Sequence, residues 1–228
     1  MTGRVKDELR TLLEQKQFDA LPQLANQDGA VVRKLFSLLY DSEPLLRWRA
    51  VMGFGILAAK APGKVGRTVS RLAYALNDEA SICAWSTAPA VAEMAHHNPA
   101  LTKEVVRIVV HYVEDAEACQ SSNRNPVVLC SALWAAGRVG IRQPELIAEI
   151  WPTLQNYSRD ALADVRGHAY WAMGLRGERH QDPIPMEGWN DENPATVFDP
   201  RVGDLITLPV REFARQAYAA TVPGEELG

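Results

Sequence analysis

The side chains able to do chemistry are few and scattered. His168, His180 and Asp182 fall within one fifteen-residue stretch, and neutral imidazoles beside a carboxylate are types that hold a divalent metal. His96 and His97 are adjacent but followed by asparagine, and His111 stands alone. Surface or helix-end histidines are the plainer reading of all of them, and no metal or other cofactor is expected. Cys83, Cys119 and Cys130 are odd in number and lack a paired spacing. Cys119 falls in a polar loop, while Cys83 and Cys130 read as small buried hydrophobes. No glycine-rich phosphate loop, G-x-S-x-G elbow or C-x-x-C is present. Two groups of residues point to recognition. Arg47, Arg49, Arg138, Arg166 and Arg176 recur on one set of helices, and guanidinium forks suit a carboxylate-bearing partner. Trp189, with Asp191 and Glu192 close by, has the composition of an aromatic anchor in a charged rim. Each group has an alternative: the arginines as solvated surface or ion pairs between repeats, and Trp189 as a lid folded over the last repeat.

What must position these residues is a repeat. Pro126–Gly140 (PVVLCSALWAAGRVG) and Ala163–Gly177 (ADVRGHAYWAMGLRG) match at a constant offset of 37. Val128 pairs with Val165, Ala132 with Ala169, Trp134 with Trp171, Gly137 with Gly174 and Gly140 with Gly177. A more diverged copy is Leu45–Gly55, where Leu46, Ala50 and Gly55 take the Val, Ala and Gly places. Such self-similarity signals a stacked array. On a helical wheel Ala169, Ala172 and Met173 lie within about 80° of Val165, a single apolar stripe. The small residues and the glycines at 137 and 174 fit close helix approach. The tryptophans lie on another flank, consistent with a second buried face toward the next repeat.

The intervening segments supply the outer helices. An amphipathic N-terminal helix carries Val5, Leu9, Leu12 and Leu13, and a short helix covers Phe18–Ala25. Outer helices follow at Val31–Tyr40 and Val65–Leu76, with inner helices at Leu45–Ala59 and Ala80–His97; Pro89 is expected to kink the latter. Leu101–Tyr112 is a clean helical stripe and Glu114–Asn125 a longer polar loop. Asn125-Pro126 caps and starts the next inner helix, and the outer helix from Pro144 is bent or shortened at Pro152. Beyond Gly177 the repeat stops. Glu178–Pro194 reads as an irregular loop, then two short strands flank Asp199–Gly203 as a hairpin. Pro209 starts a last helix, which closes the open end of the stack as a solenoid requires. The expected organisation is helical repeats over 1–177, acidic loop, hairpin and capping helix over 178–222, and a disordered tail over 223–228.

Composition narrows the classes. The 228 residues carry 24 lysines and arginines against 28 carboxylates, a net charge of −4, which disfavours broad nucleic-acid affinity. Glu178–Asp204 holds seven carboxylates and two arginines, so that segment is −5 and the remainder +1. No apolar run approaches the roughly 18 residues of a membrane span. The cysteine usage and the absence of a charged-then-apolar leader fit a cytoplasmic protein.

The stretches L-L-R-W-R-A-x-x-G-x-G and D-V-R-G-x-A-x-W-A-x-G resemble the inner helix of HEAT repeats, specifically the short bacterial type of the phycobilisome lyases. The resemblance covers Val31–Gly177 and implies an α-α superhelix serving as scaffold or protein-binding module. Enzymatic branches of that fold each demand more. The iron hydroxylases of HEAT type use His-Glu pairs, which this chain lacks. The alkylpurine DNA glycosylases need a basic groove, for which Trp48, Arg47, Arg49, Trp85 and Arg124 would have to serve in an acidic chain. A bilin-lyase role has no residue here assignable to the chromophore. The sequence therefore reads as an all-α solenoid with a small C-terminal hairpin and capping helix. Its expected role is a non-catalytic, cytosolic scaffold or accessory subunit that binds another protein; an enzyme of lyase or glycosylase type is the alternative.

Overall fold

The computed structural model describes residues 2–76, 86–101, 125–175 and 183–220, with 105, 107, 109, 110 and 113 between them. Arg176, His180, Asp182, Trp85, His111, Arg124, Cys83 and Cys119, the loop 114–124 and the tail 223–228 lie outside the described residues. The fold is an all-α superhelix, with one two-stranded sheet among the described residues. Its helices are α1 (Thr2–Glu14), α2 (Leu21–Gln27), α3 (Val31–Leu38), α4 (Pro44–Lys60), α5 (Pro62–Leu76), α6 (Thr87–His97), α7 (Pro126–Gly140), α8 (Pro144–Tyr157), α9 (Ala163–Gly174) and α10 (Val210–Ala219). Strands β1 (Pro194–Asp199) and β2 (Asp204–Pro209) form the hairpin. No helix among the described residues is long and apolar enough to cross a membrane.

Proline and capping chemistry sets the helix starts. Pro44, Pro126 and Pro144 sit in the first turns of α4, α7 and α8, where the missing N–H has no intrahelical acceptor. Asn125 caps α7, its side chain accepting from the Val127 N–H at 3.1 Å. Pro89 belongs to the same class. It lies in the first turn of α6, which begins at Thr87, so the expected interior kink does not arise there. Pro152 lies inside α8, which continues past it to Tyr157.

The chain forms two compact units, Met1–Ile108 with Phe198–Leu205, and Val109–Val197 with Ile206–Gly228. In the second unit the 37-residue offset becomes direct contact. Trp134 and Trp171 stack with ring centroids 5.5 Å apart and planes 9° from parallel, because equal register places both on the same flank of neighbouring inner helices. A side chain at Gly137 would stand 3.0 Å from the Ala172 Cα and 3.1 Å from the Trp171 ring. At Gly174 a Cβ would stand 3.1 Å from the Ala217 Cα, so α10 occupies against α9 the position that α9 occupies against α7. The first unit repeats the device: a Cβ at Gly55 would fall 2.6 Å from Glu93 and 2.7 Å from His97 of α6. Gly55, Gly137 and Gly174 thus each sit where another helix of their own unit packs closely against them.

Candidate functional site

In the second unit, the segment after the last repeat is fastened to α9 and α10. The Tyr170 hydroxyl, on α9, donates to the Pro185 carbonyl at 3.1 Å and accepts from the Gly188 N–H at 2.9 Å. Burial pushes the Tyr170 hydroxyl above the usual tyrosine range, against the hydrogen bonds from Ser158 and Gly188. Gly188 lies so close beneath that ring that a Cβ would come within 2.5 Å of it. Arg166 donates from Nε to Asp191 at 2.7 Å and from Nη1 to the carbonyls of Asp160 and Ala161 at 2.7 and 3.0 Å. Asp191 also accepts from the backbone and side-chain nitrogens of Asn193. Burial works to raise the Asp191 carboxyl, but the hydrogen bonds from Arg166 and Asn193 outweigh it and hold the group below its ordinary range. Arg159 pairs with Glu187 at 2.6 Å, and Arg211 with Glu192.

This frame carries the 3-10 turn Met186–Asn190. Trp189 is half-buried and meets Tyr218 of α10 edge to face at 5.3 Å. Its indole nitrogen is buried without a hydrogen-bond partner among the described residues. Beside it in sequence Met186 is 57% exposed, and Tyr218 is 41% exposed. Met186 and Tyr218 thus present exposed surface on either side of the half-buried Trp189, while the carboxylates of Glu187, Asp191 and Glu192 are engaged.

The first unit places its arginines differently. Arg49 is 7% exposed and donates Nε to the Gly203 carbonyl at 3.0 Å, Nη1 to the Glu14 carbonyl at 2.9 Å and Nη2 to Asp204 at 3.4 Å. Lys16, in a left-handed conformation with φ 57°, reaches the Val202 carbonyl at 3.0 Å and Asp204 at 2.6 Å. The hydrogen bond from Lys16, helped by the charge of Arg49 and working against burial, holds the Asp204 carboxyl below its usual range. Trp48 stacks on Phe198 with centroids 5.1 Å apart and planes 6° from parallel. The turn needs Gly203, whose φ is +67°. The hairpin tip is therefore held to α4 and the end of α1 by a buried guanidinium, a lysine and an aromatic stack.

Of the remaining arginines, Arg47 is half-buried and Arg138 is 7% exposed, its guanidinium 5.8 Å above the Trp134 ring. Six expected site residues (Arg49, Arg138, Arg166, Asp191, Glu192 and Trp189) thus have partners or packing within their own unit. Tyr170, Lys16 and Asp204, which organise these surfaces, are not among the expected site residues; nothing in their spacing marks them. His168 is 4% exposed, its Nδ1–H donating to the Asp164 carbonyl at 2.7 Å, a helical i,i+4 contact. Burial pushes its pKa down, against the pull of that carbonyl and the Asp164 charge. Among the described residues no group of three or more His, Cys, Asp or Glu could hold a metal ion.

No family model matches the chain, and no curated protein matches it. Among solved structures the chain is similar to a designed armadillo repeat protein, YIII(Dq.V1)4CPAF, in complex with the peptide (KR)4. The TM-score is 0.53 at 16% identity, over 94% of this chain and 98% of the designed one. At that identity the likeness is one of fold, a helical repeat solenoid.

Proposed function

We propose that this protein is a non-catalytic interaction scaffold, or an accessory subunit of a larger cytosolic complex, built on short HEAT repeats of the bacterial type. The observation that carries the reading is the exposed Met186 and Tyr218 on either side of the half-buried Trp189, beside a segment held in place by Tyr170 and Arg166. Aromatic anchors on a rigid frame lose little entropy on binding, the property of interface hot spots. Arg47 supplies a contact on the inner-helix surface. The glycine-mediated stacking and the Trp134–Trp171 pair support the HEAT-type assignment. A designed repeat protein of similar fold holds a peptide, which supports the same use of the fold here.

The test is affinity purification of the tagged protein from its native host, with mass spectrometry, metal analysis and absorption spectroscopy of the eluate. A stoichiometric protein partner, lost with Trp189→Ala and retained with Arg201→Ala at the exposed hairpin turn, is the expected result. A protein that emerges without partner and carries metal or pigment overturns the reading.

A further inference from the structure

Between Gly29 and Leu76 the chain holds eight lysines and arginines against two carboxylates, a net charge of +6 within an acidic protein. Neither α3 nor α5 contains an acidic residue. Lys64 and Arg71, both exposed, are seven residues apart and share one stripe of α5, about 10 Å apart along the axis. Arg71 lies over the Phe36 ring of α3, 5.0 Å from its centroid. Phe36 meets Tyr40, 40% exposed, at 5.6 Å, and Arg33 is exposed one turn before Phe36 on the same helix. The charged groups of Arg33, Lys60 and Lys64 have no hydrogen-bond or ion-pair partner among the described residues. Of the other cations in the first unit, Arg10, Lys16, Lys34 and Arg49 are paired with carboxylates; Lys34, though on α3, is buried against Asp28. Gly63 and Gly66 add no bulk: a Cβ at either would meet nothing within 4 Å.

We infer that the outward face of α3 and α5 docks an acidic segment of a partner protein; this rests on the scaffold reading and adds the chemistry of one partner. Carboxylates seven residues apart on a helix match the Lys64–Arg71 spacing. Tyr40 provides an apolar contact with a polar tip. A nucleic acid fits less well. Tight phosphate binding along a duplex recruits about six to ten cations, whereas this face offers Arg33, Lys60, Lys64 and Arg71. The Phe36 ring, which could serve as a stacking platform, is already covered by Arg71.

The experiment is fluorescence anisotropy of the full chain with a labelled oligoglutamate peptide, alongside an oligothymidylate and phosphatidylserine vesicles. Saturable peptide binding that weakens at least about tenfold in Lys64→Glu/Arg71→Glu and fades with rising salt is expected. Arg215→Glu makes the same kind of charge change on α10 and leaves binding unaltered. Lys64→Gln/Arg71→Gln, checked by circular dichroism, keeps the result interpretable if the reversal unfolds the protein. No saturable peptide binding, binding indifferent to both double variants, or stronger binding to oligothymidylate or vesicles overturns the inference. A partner captured from the host by a chain that ignores oligoglutamate leaves the scaffold reading standing and removes only this surface.

Discussion

Replacing Arg49 by alanine tests whether the arginine of α4 is a structural clamp or a contact kept for a partner. The side chain is 7% exposed and makes two short hydrogen bonds, to the Gly203 carbonyl at 3.0 Å and the Glu14 carbonyl at 2.9 Å, plus a longer contact to Asp204. Hydrogen bonds from a charged donor contribute about 1.5–3 kcal/mol each, and orphaned buried carbonyls add their desolvation cost. Arg49→Ala is therefore expected to destabilise the first unit by about 3–5 kcal/mol. Asp204 is 40% exposed and 3.4 Å away, so Asp204→Asn costs about 1 kcal/mol or less through this pair. The coupling energy in the double-mutant cycle is correspondingly below about 1 kcal/mol. Urea unfolding provides the free energies, and hydrogen exchange at the amides of residues 13–16 and 198–205 localises the loss. An Arg49→Ala cost below about 1 kcal/mol, or an Asp204→Asn cost equal to it, refutes the claim that the backbone carbonyls carry this clamp.

Glycines of opposite role should respond with opposite sign. Gly66→Ala, in open space within α5, raises stability by about 0.5–1 kcal/mol, whereas Gly137→Val, facing the Ala172 backbone, lowers it by about 1–3 kcal/mol; thermal melts of the two variants decide. Tyr170→Phe removes both hydrogen bonds to the Pro185–Gly188 segment and costs about 1–3 kcal/mol, with faster exchange of the Gly188 amide as its signature. Burial holds the His168 imidazole below the ordinary histidine value of about 6.5. The unfolded state therefore binds the extra proton first, and the stabilisation present above pH 6.5 is lost as pH falls through and below that value. His168→Gln should flatten that part of the stability–pH curve, and an unchanged slope would count against a neutral buried imidazole.

The repeat made much of this legible. A constant offset between Trp134 and Trp171 forces both onto equivalent helix flanks, so their stacking follows from register alone. The same register puts Gly55, Gly137 and Gly174 at the points where helices meet. The hairpin strands were legible too, from their turn residues. What could not be read were contacts obeying no period. Arg49 and Gly203 are 154 residues apart, and the arginine looks in sequence like any other on an inner helix. Arg166 and Asp191 belong to different kinds of segment, one repetitive and one unique, and only the fold pairs them. Pro89 reads as a helix-breaker until the start of α6 is known.

The attachment of the hairpin tip to the first unit also sets a timetable for biosynthesis. Lys16 and Asp204 are 188 residues apart, so at roughly 5–20 residues per second the ribosome works for about 10–40 s between making one and the other. Throughout that interval the pocket around Trp48 and Arg49 lacks Phe198 and the carbonyl of Gly203. The nascent N-terminal half emerges with an unshielded indole and an unsatisfied guanidinium, a surface for chaperones to cover. A stop codon or proteolytic cut late in the chain would return even a finished N-terminal half to that immature condition.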